Sequence, residues 1–150
     1  MARRYSTIGN QTYAASDTIV SLANAGTTIR HILYDIMLGS ATTPADNAFH
    51  ITVGRITAEG TNTDVVPVAH DSSSPASLVG GGSNHTVEPT YTAGAEVLSI
   101  AMNQQATFRW VVPPEEGFIS PVTAANGFGV LFVAASGGTP DFQCTVCHQE

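Results

Sequence analysis

The sequence predicts an all-β domain: an antiparallel β-sandwich or jelly roll of about eight strands, preceded by an extended N-terminal arm. Three observations predict it. No stretch of a dozen residues places apolar side chains at i, i+3, i+4 and i+7, so helical periodicity is missing. Runs rich in Val, Ile, Phe and Thr recur instead, and clusters of Gly, Pro, Asn and Asp separate them. Nothing alternates strand with helix, which leaves two packed antiparallel sheets as the architecture that buries such runs.

Residues 1–28 are weakly patterned, with only Thr12-Tyr13-Ala14-Ala15 and Ile19-Val20-Ser21-Leu22 as extended candidates. They read as an arm or as edge strands, and residues 29–150 as the sandwich itself. Residues 29–38 form the strongest run. Both of its faces are largely apolar, which predicts a central strand, with Ile32, Tyr34, Ile36 and Leu38 on one side. In residues 48–57, Phe49, Ile51 and Val53 point inward, and Gly54 interrupts the alternation as a bulge would. Residues 64–83 hold two prolines and Gly80-Gly81-Gly82, and read as a long irregular connection with at most a short edge strand at 65–68. Residues 86–92 are a short extended segment. Residues 96–102 and 106–112 are expected to pair as a hairpin through Asn103-Gln104-Gln105. Residues 127–134 and 142–148 supply the last strands.

The chain has 150 residues, the size of one domain. That length suffices for a core without disulfides or metal. Charged residues make up 11%, under half the usual ~25%. All five basic residues are arginines, and the net charge is -7. A nucleic-acid binder needs a basic stripe to displace counterions, and an anionic membrane surface makes the same demand. Neither partner is therefore expected. No stretch reaches the ~18 apolar residues of a membrane span. Arg3-Arg4 is not followed by an apolar segment, so no secretory signal is expected and the two cysteines are expected to stay reduced.

The sharpest chemical motif is Cys144-Thr145-Val146-Cys147-His148, which has the C-x-x-C-H form of c-type haem attachment. It falls on a predicted strand, where Cys144 and Cys147 face opposite sides of the sheet. The expected arrangement is Phe142, Cys144 and Val146 in the core, with Cys147, His148 and Gln149 running out into solvent. Neither haem nor a metal is expected, because a structural zinc site needs a second half-site and the chain has no third cysteine. His70-Asp71 and Ser72-Ser73-Ser74 lack the rigid elbow of a nucleophile. Gly80-Gly81-Gly82 lacks the Lys-Ser/Thr of a phosphate loop and reads as a hinge. Arg109 beside Trp110 is expected to be buried and paired, with Glu88 or Glu96 as partner. No enzyme is expected.

Four blocks carry a resemblance: Gly39-Ser40-Ala41-Thr42-Thr43-Pro44-Ala45-Asp46; Asn84-His85-Thr86-Val87-Glu88-Pro89-Thr90-Tyr91-Thr92; Asn103-Gln104-Gln105-Ala106-Thr107-Phe108-Arg109-Trp110-Val111; and Pro121-Val122-Thr123-Ala124-Ala125-Asn126-Gly127. Together they resemble small virion proteins of tailed bacteriophages, over residues 30–150. The resemblance implies a head decoration (cement) protein: a homotrimer on the outer surface of the phage head, made in the host cytoplasm. Its partner would be the major capsid protein. Arg3, Arg4 and Tyr5 of the arm, with His85, Glu88 and Tyr91 of the 64–92 connection, are the expected contact residues, because arginine and tyrosine favour interfaces. Removing residues 1–10 is expected to abolish capsid binding and leave the domain folded. The alternatives are a tail or fibre module that binds host glycan or another virion protein, and a redox protein built on Cys144, Cys147 and His148.

Overall fold

The computed structural model describes every residue except Met1 and Ser136, and in it the alternating runs become strands of two antiparallel sheets. The strands are β1 (Arg4–Thr12), β2 (Thr18–Asn24), β3 (Ile32–Thr42), β4 (Ala48–Ala58), β5 (Thr61–Val65), β6 (Val68–Ala69), β7 (Val79–Val87), β8 (Thr90–Asn103), β9 (Phe108–Val111), β10 (Phe118–Ile119), β11 (Gly127–Ala135) and β12 (Asp141–Gln149). One 3-10 turn, Pro114–Glu116, lies between β9 and β10. The first sheet runs β10-β3-β12-β1-β6, and β9 pairs with β3 on the same side as β10. The second runs β5-β7-β2-β11-β4-β8. The core lies between them. Ile36, Leu38, Phe142, Cys144 and Val146 come from the first sheet, and Ile19, Val20, Leu22, Phe49, Ile51, Val53, Phe128, Val130 and Phe132 from the second.

Alternation placed several strands correctly. Phe49, Ile51 and Val53 are buried, and the register between β4 and β8 shifts at Gly54, where the bulge was expected. β3 is central, flanked by β12 on one side and by β9 and β10 on the other. Its phase is not uniform, however. Cys147 faces Asp35 while His148 faces Leu33, so Tyr34 is an extra residue in the ladder. This bulge turns Leu33 into the core alongside Ile36 and Leu38 and takes Tyr34 off the face that simple alternation assigned to it.

Three expectations are overturned. The N-terminal segment, read as an arm or as edge strands, is strand paired within the sheets. β1 pairs with β12 over nine residues, and β2 lies between β7 and β11. The long connection at 64–83 holds β6 and most of β7, and the triple glycine lies inside β7 rather than in a hinge. The reason is close approach: a Cβ on Gly81 would lie 2.5 Å from the Val65 carbonyl oxygen and 2.6 Å from Thr7 Cγ2. The hairpin between residues 96–102 and 106–112 does not form. β8 pairs with β4 in the second sheet, and β9 pairs with β3 in the first. The chain changes sheets at Gln104, whose buried side chain accepts from the Ala45 N–H (3.1 Å) and donates to the Gly137 carbonyl (2.7 Å). Among the described residues, no two consecutive strands pair.

Candidate functional site

The residues expected to meet a partner have different fates. Arg3 and Arg4 are exposed, at a cleft of about 610 Å³ shared with His70, Asp71 and Glu115. The Arg4 guanidinium lies over the Tyr34 ring at 6.0 Å. Tyr5 offers a partner no surface, since it is 0% exposed. Its ring stacks on His148 at 5.3 Å, and its hydroxyl donates to the Pro75 carbonyl at 3.0 Å. The strand pleat explains the split: Tyr5, Thr7 and Gly9 face in, while Arg4 and Ile8 face out.

His85, Glu88 and Tyr91 converge on β2 within the chain. A Ser21 Oγ contact holds His85 Nε2 at 3.1 Å. Glu88 Oε2 accepts the Thr18 N–H at 2.9 Å, and the Tyr91 hydroxyl meets Thr18 Oγ1 at 2.9 Å. Tyr91 reaches β2 from β8 by lying across β4 and β11, over Gly54 and Gly129. A Cβ on Gly129 would sit 2.1 Å from the Tyr91 hydroxyl oxygen, and one on Gly54 2.8 Å from its ring. The two glycines face each other across the ladder and leave a lane for the ring. Burial raises the Tyr91 phenol pKa well above its usual value and lowers that of His85, so both stay neutral. This clasp covers β2 at Thr18 and Ser21, and every residue of that strand is buried.

The C-terminal motif is interior on both sides. Cys144 lies in the core, and Cys147 is 6% exposed on the opposite face near Asp35 and Tyr34. Both are free thiols. Burial raises both pKa values, that of Cys147 to about 11. His148, expected in solvent, is 0% exposed, and Gln149 is buried as well. The bulge at Cys147/His148 shifts the phase and turns the histidine inward against Tyr5 and His31.

His31 and His148 form a buried pair, with ring centroids 5.8 Å apart. His31 Nδ1 lies 2.7 Å from Asn24 Oδ1, an acceptor, so Nδ1 carries the proton. Burial first, and His148 second, lower the His31 pKa to about 3. Burial also lowers that of His148, and its contact with Glu150 Oε1 at 3.4 Å is a hydrogen bond from a neutral ring. Among the described residues, His31 Nε2 and His148 Nδ1 have no hydrogen-bond partner.

Arg109 pairs with neither Glu88 nor Glu96. It binds Asp35 through two bonds, Nε to Oδ1 at 3.0 Å and Nη2 to Oδ2 at 2.7 Å. The burial is also reversed: the Arg109 side chain is 57% exposed and that of Asp35 only 8%. β9 is an edge segment, so its guanidinium reaches across the outer face of β3 to neutralise the enclosed carboxylate.

That outer face of the first sheet is a further candidate surface. One row across it carries Ile8, Thr145, Met37 and Arg109, and the next carries Val68, Ser6, Cys147, Asp35 and Val111. Ile8, Met37, Val68 and Val111 are exposed, and the only charges in the two rows are Asp35 and Arg109, which neutralise each other. Sequence reasoning missed this surface because its residues come from five separate strands. No protein-family model matches the chain, and no curated protein or solved structure is significantly similar to it.

Proposed function

We propose that this chain is a structural virion protein: a decoration protein that seats on the outer surface of a phage head and holds neighbouring capsomers together. The observation that carries the reading is the neutral, apolar-dotted outer face of the first sheet, with Ile8, Met37, Val68 and Val111 exposed on a slab braced from behind by the core. Charged groups are expensive to desolvate, so two strand rows whose only charges neutralise each other suit burial against another protein. Arg4 lies on the same face of β1 as Ile8 and supplies a rim contact. A homotrimer at a capsid symmetry point would multiply modest contacts through avidity.

Electron microscopy of assembled particles tests the reading. Density for this chain repeated over the head lattice supports it. Density confined to the tail moves the chain to the fibre alternative, and its absence from purified particles ends the proposal. Ile8→Asp combined with Met37→Asp is expected to abolish particle binding while the amide spectrum stays dispersed, because both side chains already face water.

A further inference from the structure

Among the described residues, Arg109 is the only arginine in an ion pair, although the chain has twelve acidic residues. Two of the other four share one cleft of about 360 Å³. Arg30, from the segment before β3, and Arg55, from β4, line it with Ile56, Thr92, Pro121 and Asn126, and no carboxylate is among the lining residues. Arg3 and Arg4, by contrast, share their cleft with Asp71 and Glu115.

Both guanidiniums in the uncompensated cleft are anchored, and both where β10 ends and the loop after it begins. Arg30 Nε donates to the Ser120 carbonyl at 3.2 Å, and Arg55 Nη1 donates to the neighbouring Ile119 carbonyl at 2.8 Å. The Arg55 guanidinium also lies 5.1 Å from the centre of the Phe128 ring. The loop itself is fixed. Ser120 is fully buried, and its hydroxyl accepts from the His31 N–H at 3.0 Å and from Asn24 Nδ2 at 3.3 Å. Its N–H donates to the His31 carbonyl at 2.9 Å, and Asn24 Nδ2 also donates to the Pro121 carbonyl at 2.8 Å. Each guanidinium has five N–H donors and spends one of them on this anchor, so several remain for a ligand. A receptor whose forks are already oriented loses less entropy on binding than two free side chains would.

We propose that Arg30 and Arg55 form a preorganised site for an oxyanion, a carboxylate or phosphate group held between the two guanidiniums. The site does not depend on which partner covers the first sheet, because both arginines lie elsewhere on the molecule. Carboxylate and phosphate present the same recognition chemistry, paired oxygens that accept from an arginine fork.

The test uses the full chain labelled with 15N-arginine, whose five side-chain Nε–H signals are followed at pH 6 and constant ionic strength. Inorganic phosphate is titrated in one series, glutarate in another, and chloride as the control. The Arg30 and Arg55 signals are expected to move saturably and together, while Arg109 stays fixed on Asp35. Saturation by phosphate alone identifies a phosphate site, and saturation by glutarate identifies a site for an acidic side chain. Arg55→Gln is expected to weaken the Arg30 response at least tenfold with the amide spectrum otherwise retained. Arg30→Gln, at an exposed position, provides the same reading from the other side should the Arg55 variant misfold. Linear responses to both anions, or responses no larger than those of Arg3 and Arg4, overturn the proposal.

Discussion

At the scale of single residues, the instructive positions are those where a missing atom or a single partner decides the packing. Gly129 is unremarkable in the sequence and Gly54 stands out there only as a bulge, yet their bare backbones let Tyr91 cross two strands to reach Thr18. Gly129→Ala is expected to lower stability by about 1–3 kcal/mol, because the added methyl overlaps the tyrosine hydroxyl and the ring must shift. Tyr91→Phe keeps the ring in its lane and loses one hydrogen bond, so a smaller loss of about 1 kcal/mol is expected. Urea midpoints of the two variants check the order, and a neutral Gly129→Ala would show that the ring is not clamped. The sequence singled out Tyr91 and His85 as contacts for a partner protein, not as contacts within the chain. Their real partners, Thr18 and Ser21, lie more than sixty positions away, and no local pattern connects them.

At the scale of elements, the N-terminal segment changes meaning most. Its weak patterning came from threonine, glycine and asparagine between a few large side chains, and it read as an arm or as edge strands. In the sheet, Tyr5 and Thr7 are buried and β12 is hydrogen-bonded along the whole of β1. Removing residues 2–12 is therefore expected to unfold the domain, not to produce a folded protein that cannot bind. It would strip one edge of β12 and open the pocket around His148. Far-UV circular dichroism and amide dispersion of the truncated chain decide the matter, and a cooperatively folded truncation would refute the role assigned to β1. The failed hairpin at 96–112 has the same origin. Alternation shows that two runs are strands but not which sheet each joins, and here the buried side chain of Gln104 marks the crossing.

At the scale of the whole molecule, the sandwich encloses titratable groups between its sheets. His31 and His148 come from the first sheet and the segment leading into it, and they pack against Asn24 and Phe128 of the second. The folded-state pKa of His31 lies near 3, below its ordinary 6.5, so between these values the unfolded chain binds more protons than the folded one. Stability is thus full above pH 6.5 and falls as the solution is acidified, by about 1.4 kcal/mol per pH unit for a fully shifted histidine. His148, also lowered, adds to the slope in the same direction. Urea denaturation at pH 7.5 and pH 5 is expected to show a loss of about 2 kcal/mol from His31 alone. Equal midpoints would mean that the pair is not buried as described. Because no consecutive strands pair among the described residues, folding must close long loops before any ladder forms, which favours slow assembly.

The sequence by itself determined the fold class, the inward faces of β4 and β12 up to the bulge, the bulge at Gly54 and the central place of β3. Each follows from period-two burial or from a residue that breaks it, and both act over a few neighbours. The tertiary structure alone decided strand order, the pairing of the N-terminal segment into the sheets, the inward turn of His148, the Asp35–Arg109 pair, and the placing of Arg30 and Arg55 on one cleft. These depend on which distant strands lie side by side. That choice is made by the fit of whole faces and by close approaches over glycine, and neither is written into any short stretch of chain.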